Sequence, residues 1–303
     1  MRCFLFVPAD SERKLAKALQ SAADALVLDL EDSVLPDRKA VARSTLEGWL
    51  RGREPLHGGE PLRGREPDRR VWIRVNEPGS AELLLDLAAV VPLRPAGVVL
   101  PKIRGPEDIR LVADYLTMAE TIHGVPPGSL KIIAVCTETP LAVLRAGDLA
   151  RASLPRLAGL MWGGEDLSSS LGAADPRRPD GSWRAVYQHA RTQCLLAARA
   201  LDVLAIDTVF VDVRDNEGCR NSALEARGDG FDAKIAIHPD QVAVINAAFT
   251  PTEAELTRAR QIVAAFEGGQ GAVTFEGKML DMPHLKAARR LLASTPIATT
   301  DRP

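Results

Sequence analysis

The sequence predicts an α/β fold, in which a (β/α)8 barrel is followed by a C-terminal helical segment. Eight short apolar runs recur along the 303 residues, and segments with helical spacing separate them. Most runs are continuously apolar, which is typical of parallel strands buried on both faces. The predicted strands are 3–9, 25–32, 71–76, 96–102, 131–138, 157–166, 206–212 and 233–239.

A doubly wound open sheet is the alternative to this TIM-type barrel. The number of strand–helix units favours the barrel, and no GxGxxG motif opens the first helix, as a dinucleotide-binding sheet would require. In a barrel, the site lies at the carboxyl ends of the strands. Ionisable residues collect where these runs end, so we expect them to meet at one mouth.

Composition and charge exclude several classes of protein. Hydrophobic residues make up 46% and charged residues 26%, as in ordinary globular domains, and the net charge of -2 gives no general affinity for nucleic acid or membranes. The N-terminal apolar run is too short for a signal peptide, and no run of about 18 apolar residues predicts a transmembrane helix. The four cysteines lack zinc-ligand spacing, and Cys136 fits a small buried side chain. These features predict a cytoplasmic protein.

The chain is expected to divide into a barrel, 1–245, and a C-terminal helical lid segment, 246–303. Residues at about 51–70 contain RGREP twice and few large apolar side chains, so a mobile insertion is predicted there. It fits a tolerated surface loop better than a basic binding arm. In the C-terminal segment, Thr252 and Glu255 have the spacing of a capping box, and a short helix is predicted from Met282.

Two carboxylates at neighbouring run ends predict a metal site. Glu138 follows one apolar run. Asp166 follows the sequence LMWGG at the end of the next, where two glycines are expected to let the backbone turn sharply. Carboxylates with open positions beside them suit Mg²⁺ or Mn²⁺. Asp166 alone would fit a helix N-cap equally well, but its pairing with Glu138 favours the metal.

A basic residue inside an apolar strand is the next candidate. Arg74 in VWIRVN fits a clamp on a substrate carboxylate, or a salt bridge to the DLED sequence, and both are compatible. In that case Glu31 or Asp32 would orient Arg74 by binding it on the side away from the substrate. Among other basic residues, Arg13 and Lys17 on the first helix fit either a solvated face or a polyphosphate contact. His238, at the end of the last run, is a candidate for substrate contact.

Seven motifs in order resemble one family. FLFVPAD, VLDLEDSV, IRVN, VLPK, TET, GGEDLSSSLG and AIHPDQV resemble the citrate lyase β-subunit-like branch of the HpcH/HpaI aldolase superfamily. The C-terminal FEGKMLDMP resembles the citramalyl-CoA and malyl-CoA lyases of that branch. The resemblance covers nearly the whole chain apart from the insertion.

This resemblance implies a Mg²⁺-dependent carbon–carbon lyase. Its substrate would be a β-hydroxyacyl-CoA, cleaved to an acyl-CoA and an α-keto acid, or formed by the reverse condensation. Glu138 and Asp166 would hold the metal, and Arg74 would bind the keto-acid carboxylate. The implied thioester contacts are Phe6, Arg13, Lys17, Ile237 and His238. Those enzymes carry Tyr and Lys where this chain has Phe6 and Arg13, so a possible Tyr hydroxyl contact is lost.

The resemblance also gives Asp281 a catalytic role. It would be the acid or base on a mobile lid that reaches the barrel of a neighbouring subunit, in a homotrimer or a hexamer built from trimers. From the residues alone, Asp281 fits an N-cap of the last helix, with Pro283 in its first turn. Two other functions stay open: a citrate lyase β subunit acting on an acyl carrier protein within a complex, and a CoA-binding pseudoenzyme.

Overall fold

The computed structural model describes residues 1–52, 68–269 and 271–293. Within these ranges, eight parallel strands close into a barrel in the chain order β1 to β8. The predicted (β/α)8 barrel is therefore confirmed, and the open sheet is wrong. The strands are β1 (Cys3–Pro8), β2 (Ala25–Asp29), β3 (Asp68–Arg74), β4 (Pro95–Leu100), β5 (Lys131–Val135), β6 (Leu157–Met161), β7 (Leu204–Asp207) and β8 (Ala233–Ala236).

Helices connect the strands and continue beyond the last one. Proline or an extended N-cap residue begins many of them, as at Pro106 and after Thr139. The helices are α1 (Glu12–Leu19), α2 (Lys39–Arg51), α3 (Ala81–Val90), α4 (Pro106–Ile122), α5 (Pro140–Leu144), α6 (Ala146–Leu149), α7 (Gly164–Leu171), α8 (Ala185–Ala200), α9 (Asn216–Asp229), α10 (Pro239–Phe249), α11 (Glu253–Ala265) and α12 (Met282–Ala293).

Alternate residues of the strands fill the barrel interior. Phe4 of β1 pairs in register with Ala25 on one side and Ile235 on the other, which closes the sheet. These three residues belong to one buried apolar cluster with Val27, Trp72 and other alternate strand residues. Because the strands are buried on both faces, their sequences are continuously apolar.

Several strands end earlier than their apolar runs. β5 ends at Val135 and β6 at Met161, so Glu138 and Asp166 lie beyond the strands. β7 ends at Asp207, and the prediction that this strand runs to Asp212 is wrong. Beyond Asp207 the chain has side-chain partners: the main-chain oxygen of Phe210 accepts a hydrogen bond from the Gln241 side chain at 2.7 Å.

A buried ionic network connects β8 with the end of β7 and with the residue that follows β6. The Asp207 carboxylate accepts hydrogen bonds from the Lys234 ammonium at 2.6 Å, the Trp162 indole at 2.7 Å and Arg191 at 3.1 Å. Lys234 and Trp162 have no exposed surface. Burial opposes ionisation of Asp207, but Lys234 and Arg191 outweigh it, and the pKa of this carboxyl lies below its ordinary value.

We expect Lys234→Met to lower the free energy of unfolding by about 3 kcal/mol, because it leaves Asp207 buried with one cationic partner fewer. Urea unfolding followed by tryptophan fluorescence measures this. Glu47→Gln, which breaks the exposed Arg51–Glu47 pair, is the control and should change it by less than about 1 kcal/mol.

This stabilisation should also depend on pH. The folded pKa of Asp207 is depressed, so its contribution is fully present above the unfolded value of about 4 and is lost as pH falls through the folded value. The difference between the parent protein and Lys234→Met should therefore shrink below about pH 4. A difference that stays constant down to pH 3 would contradict this role of the ion pair.

The second compact unit begins at Ala247 and combines helices with a hairpin. α11 begins with the predicted capping box, in which Thr252 and Glu255 bond each other's main chain. The glycine-rich segment forms an antiparallel hairpin, β9 (Ala272–Phe275) and β10 (Lys278–Asp281), before α12. The C-terminal segment is therefore helix, hairpin and helix, and the expectation of helices alone was incomplete.

The two-residue turn Glu276–Gly277 explains the hairpin. Both residues have positive φ, 49° and 73°, as a tight hairpin turn requires. Phe266, Leu280 and Leu285 form a buried apolar cluster that joins α11, β10 and α12. The role of this unit as a lid that packs on a neighbouring subunit stays a prediction.

Two further expectations concern other parts of the chain. The insertion predicted at about 51–70 falls mostly on residues 53–67, which lie outside the described residues, while α2 extends to Arg51 and β3 begins at Asp68. The four cysteines are free and buried, in agreement with the interpretation of Cys136. Among the described helices, none is both long enough and apolar enough to cross a membrane.

Candidate active site

A cavity of about 260 Å³ lies at the carboxyl ends of the barrel strands. Three of the predicted site residues, Arg74, Glu138 and Asp166, line it together. The remaining wall is largely apolar and comes from the ends of several strands. These lining residues are Phe6, Val7, Pro8, Asp29, Ser33, Val135, Met161, Trp162, Gly163, Gly164, Glu165, Thr208, Val209, Ile235 and Ile237.

Glu138 is a deeply buried carboxylate of this cavity, with 2% of its surface exposed. Its Oε2 accepts a hydrogen bond from the main-chain N–H of Lys102, and its main-chain oxygen accepts one from Ser170 at 3.0 Å. Burial, reinforced by the nearby Asp166 carboxylate, raises the pKa of Glu138 to about 8. The carboxylate is thus held in place while its charge is poorly compensated.

Lys102 connects the carboxylates that follow β2, β5 and β6. Its φ of 50° is left-handed, and this conformation accompanies the main-chain donation to Glu138. Its ammonium group bonds Glu31 and also Asp32, at 2.7 Å, and lies 3.7 Å from Asp166. Residue type alone does not reveal this role of Lys102, because a left-handed φ and a main-chain hydrogen bond are not specific to one kind of side chain.

Asp166 lies in the first turn of α7, where its side chain is about one-third exposed. The N-cap position of this helix is Gly163, so the alternative of an Asp166 N-cap is wrong. Both Asp166 and Glu138 project to the cavity from the segments that follow adjacent strands. A carboxylate at a helix N-terminus is also favoured by the helix dipole.

The two glycines before Asp166 leave room for neighbouring side chains and do not form a sharp turn. Gly163 has an extended conformation, with φ of -113°, and Gly164 is not among the glycines with positive φ. A Cβ atom on Gly163 would lie 2.6 Å from Cγ of Glu138, and one on Gly164 would lie 2.7 Å from the Trp183 ring. The glycine at 163 therefore allows Glu138 to occupy its buried position.

Gly163→Ala should displace the Glu138 side chain. The lyase activity that the family resemblance implies should then fall at least tenfold, roughly, because a misplaced active-site side chain loses most of its contribution. Steady-state assays with circular dichroism measure activity and fold together. Gly48→Ala is the matched control, since a Cβ there meets nothing within 4 Å in helix α2. Equal activity in the two variants would contradict this account of Gly163.

Arg74 is held by two carboxylates of the DLED sequence. Its Nε and Nη2 donate to the two oxygens of Asp29 at 2.7 and 2.6 Å, and Nη1 lies 3.0 Å from Glu31. Burial opposes ionisation of Asp29, but Arg74 outweighs it and lowers the pKa of that carboxyl. The predicted salt bridge is present, with Asp29 as the bidentate partner that the sequence did not single out. Asp32 bonds Lys102 instead.

The Arg74 guanidinium retains two N–H groups beyond these three contacts. Its central carbon lies 5.1 Å from the centre of the Phe6 ring, a cation–π distance. Phe6 thus covers one side of the guanidinium, and the bonds to Asp29 and Glu31 fix its plane. This arrangement suits recognition of an anionic oxygen by single hydrogen bonds.

The predicted thioester contacts occupy different environments. Phe6 and Ile237 line the cavity. Arg13 and Lys17 are exposed on α1 and are not among the cavity-lining residues. His238 is also outside the lining, and its Nδ1 lies 3.4 Å from the Asp240 carboxylate.

The charges around the cavity fit a bound divalent cation. Two cationic side chains, Arg74 and Lys102, lie among the five carboxylates of Asp29, Glu31, Asp32, Glu138 and Asp166, and Glu165 is a sixth carboxylate that lines the cavity. Among the described residues, no group of three or more His, Cys, Asp or Glu side chains forms a metal cage. Two carboxylates with open positions for water or substrate are a typical donor set for Mg²⁺.

Asp281, the remaining predicted catalytic residue, lies in the second compact unit at the end of β10. It immediately precedes α12, in agreement with a position at that helix start, and its side chain is 56% exposed. Its Oδ1 lies 2.6 Å from Nδ1 of His284, which was not among the predicted site residues. The spacing D-x-x-H at a helix start was the available signal.

Comparisons with known proteins agree with this architecture. Residues 2–239 match the model of the HpcH/HpaI aldolase/citrate lyase family, and residues 188–297 match that of a C–C bond lyase of the TIM-barrel fold. The chain is 36% identical over 300 residues to a citrate lyase subunit beta-like protein of Mycobacterium tuberculosis, covering 98% of this chain and 97% of the relative. It is 32% identical over 311 residues to the mitochondrial citramalyl-CoA lyase of Mus musculus, covering 96% and 85%.

A solved structure extends the comparison to ligands. The CitE protein of Mycobacterium tuberculosis, in complex with magnesium, acetoacetate and coenzyme A, superposes with a TM-score of 0.78. Its sequence is 35% identical, and the match covers 97% of each chain. The matched family model spans most of the barrel, and the Mycobacterium tuberculosis relative matches nearly end to end. The chain therefore belongs to the HpcH/HpaI aldolase/citrate lyase family of carbon–carbon lyases.

Proposed function

We propose that this protein is a Mg²⁺-dependent lyase that cleaves a β-hydroxyacyl-CoA of the malyl-, methylmalyl- or citramalyl-CoA type. The products are an acyl-CoA and an α-keto acid such as glyoxylate or pyruvate, and the same site serves the reverse condensation. The observation that carries this proposal is the cavity in which Glu138, Asp166 and Arg74 meet.

Glu138 and Asp166 would hold the metal, with Mn²⁺ as a possible substitute for Mg²⁺. When bound, the ion supplies Lewis-acid stabilisation of the oxygen charge that develops on the keto-acid part. The excess of carboxylates over cationic side chains supports this assignment, because an anionic substrate would otherwise be repelled. The magnesium and coenzyme A bound by the CitE relative support the cofactor and the substrate class.

Arg74 binds the carboxylate of the keto-acid part in this proposal. Its plane is fixed by Asp29 and Glu31, so its remaining N–H groups are aligned before substrate arrives. The apolar wall beside it, including Phe6 and Met161, excludes water from the bond that breaks. Phe6, Arg13, Lys17, Ile237 and His238 are assigned to the thioester by motif.

Cleavage leaves an acyl-CoA enolate, whose carbon must gain a proton. Asp281 is assigned as the donor, and as the base in condensation, because it lies in the segment that resembles the acyl-CoA lyases. We further propose that the second unit acts as a lid on the barrel of a neighbouring subunit, in a homotrimer or a hexamer of trimers.

A panel of thioesters tests the proposal. Purified protein with Mg²⁺ is expected to release glyoxylate or pyruvate from malyl-, methylmalyl- or citramalyl-CoA, and EDTA should abolish the release. Light scattering gives the oligomeric state in the same preparation. CoA binding without cleavage of any thioester would indicate the pseudoenzyme. Cleavage that requires an acyl carrier protein would indicate a citrate lyase subunit.

A further inference from the structure

The proposed proton donor has a histidine partner. Asp281 ends β10, and His284 lies in the first turn of α12. Oδ1 of Asp281 lies 2.6 Å from Nδ1 of His284, and the main-chain N–H of Asp281 donates a hydrogen bond to the same ring atom at 3.2 Å. Among the residues that the structure describes, neither side chain has another ion-pair partner, and Arg258 and Glu276 of the same unit pair with each other.

A contact of 2.6 Å between these two atoms requires a proton. An ionised carboxylate and an unprotonated ring nitrogen would both present lone pairs and repel each other. With a proton on Nδ1, the ring donates to Oδ1; with a proton on the carboxyl group, Nδ1 accepts from it. In both arrangements one proton lies between the two atoms.

Aspartate alone is a poor proton donor at neutral pH, because an unperturbed carboxyl group in water is ionised there. Imidazole is the side chain that exchanges protons most readily in this range. We infer that His284 positions Asp281 and supplies its proton, so that the acid of the reaction is the Asp281–His284 pair. This inference rests on the proposed function.

The proton transfers balance without a further reactant. The enolate carbon forms a C–H bond as the O–H bond of Asp281 breaks, which leaves a carboxylate beside the unprotonated Nδ1 of His284. The ring is about half exposed, so Nδ1 takes up a proton from water. That Nδ1–H bond then breaks as the O–H bond of Asp281 forms again. In the condensation direction, each transfer runs in reverse, and the pair receives the proton taken from the acyl-CoA.

Exchange of acyl protons with solvent isolates this step from carbon–carbon cleavage. The full-length protein with Mg²⁺ is incubated with acetyl-CoA or propionyl-CoA in D₂O, and NMR measures deuterium at the α-carbon. His284→Ala and His284→Asn should both reduce the exchange rate about 100-fold, with KM for the thioester unchanged. Asparagine can offer an N–H to Oδ1 but cannot pass a proton on, so it separates orientation from proton supply.

His189→Asn is the matched control, because His189 is an exposed histidine on α8 outside the cavity lining. It should exchange at the parent rate. Parent-like exchange by His284→Asn would overturn the inference, since orientation of Asp281 would then suffice.

A second measurement does not depend on activity. The ¹⁵N shifts of His284 in the free protein should show a proton on or shared with Nδ1, and Asp281→Asn should move the neutral ring to the Nε2–H tautomer. An unchanged tautomer in that variant would overturn the pair. If the parent protein cleaves and exchanges no thioester, the proposed function fails, while the ¹⁵N result still decides whether the pair shares a proton.

Discussion

Glu138→Gln is expected to lower turnover about 1,000-fold, which corresponds to about 4 kcal/mol of lost transition-state stabilisation. Glutamine keeps the size of the side chain and an oxygen that can accept from the Lys102 main chain, so the change removes mainly the charge. The metal affinity should fall with the activity, because a buried ligand loses its negative charge. Initial rates over a Mg²⁺ titration, together with calorimetric Mg²⁺ binding, measure both effects.

Glu165→Gln is the matched control for Glu138→Gln. Glu165 lines the same cavity and is adjacent to Asp166, but we assign it no metal contact. Its replacement should cost less than about tenfold in turnover and leave Mg²⁺ affinity nearly unchanged. Normal Mg²⁺ dependence in Glu138→Gln would show that the carboxylate pair does not hold the ion.

Asp281→Asn is expected to lower turnover by about 100- to 1,000-fold, the usual contribution of a general acid or base. Asparagine has a similar size, so the start of α12 should persist. Mg²⁺ binding and keto-acid binding should remain near those of the parent, because both are assigned to the barrel. Steady-state kinetics and calorimetry separate the loss of kcat from any loss of binding.

Mixing of subunits tests whether the lid is exchanged. A protein assembled from chains with Asp281→Asn and chains with Glu138→Gln should regain part of the activity, since some sites then receive an intact residue from each chain. If Asp281 serves the site of its own chain, mixing restores nothing. Unchanged turnover in Asp281→Asn alone would return this residue to a structural role at the helix start.

The barrel was predictable because its strands are buried on both faces, which leaves continuous apolar runs in the sequence. The residues that follow these runs could be placed at one mouth by topology, and Glu138, Asp166 and Arg74 indeed line one cavity. The exact ends of the strands were less predictable. At β7 the apolar run continues beyond Asp207, but the Phe210 carbonyl bonds a side chain instead of a neighbouring strand.

Other parts of the site could not be predicted from residue type. Asp29 is one of three acidic residues in DLED. Only the direction in which the backbone points each side chain decides which of them accepts the two hydrogen bonds from Arg74. Gly163 suggested a turn, whereas its role is to leave space for Glu138. The hairpin turn at Glu276–Gly277 was hidden by a glutamate at a position where asparagine or aspartate is the usual signal.

The double use of Lys102 has a consequence for how this site tolerates substitution. Its ammonium group can be removed by mutation, but the N–H that Glu138 accepts from belongs to the main chain and survives exchange to any residue except proline. Replacement of Lys102 by alanine would therefore measure only the loss of the ammonium group. It would leave the main-chain hydrogen bond to Glu138 out of the measured effect. Glycine, which adopts positive φ without strain, should support Glu138 better than alanine does. Which residues position 102 tolerates thus depends on their preference for positive φ as much as on their charge.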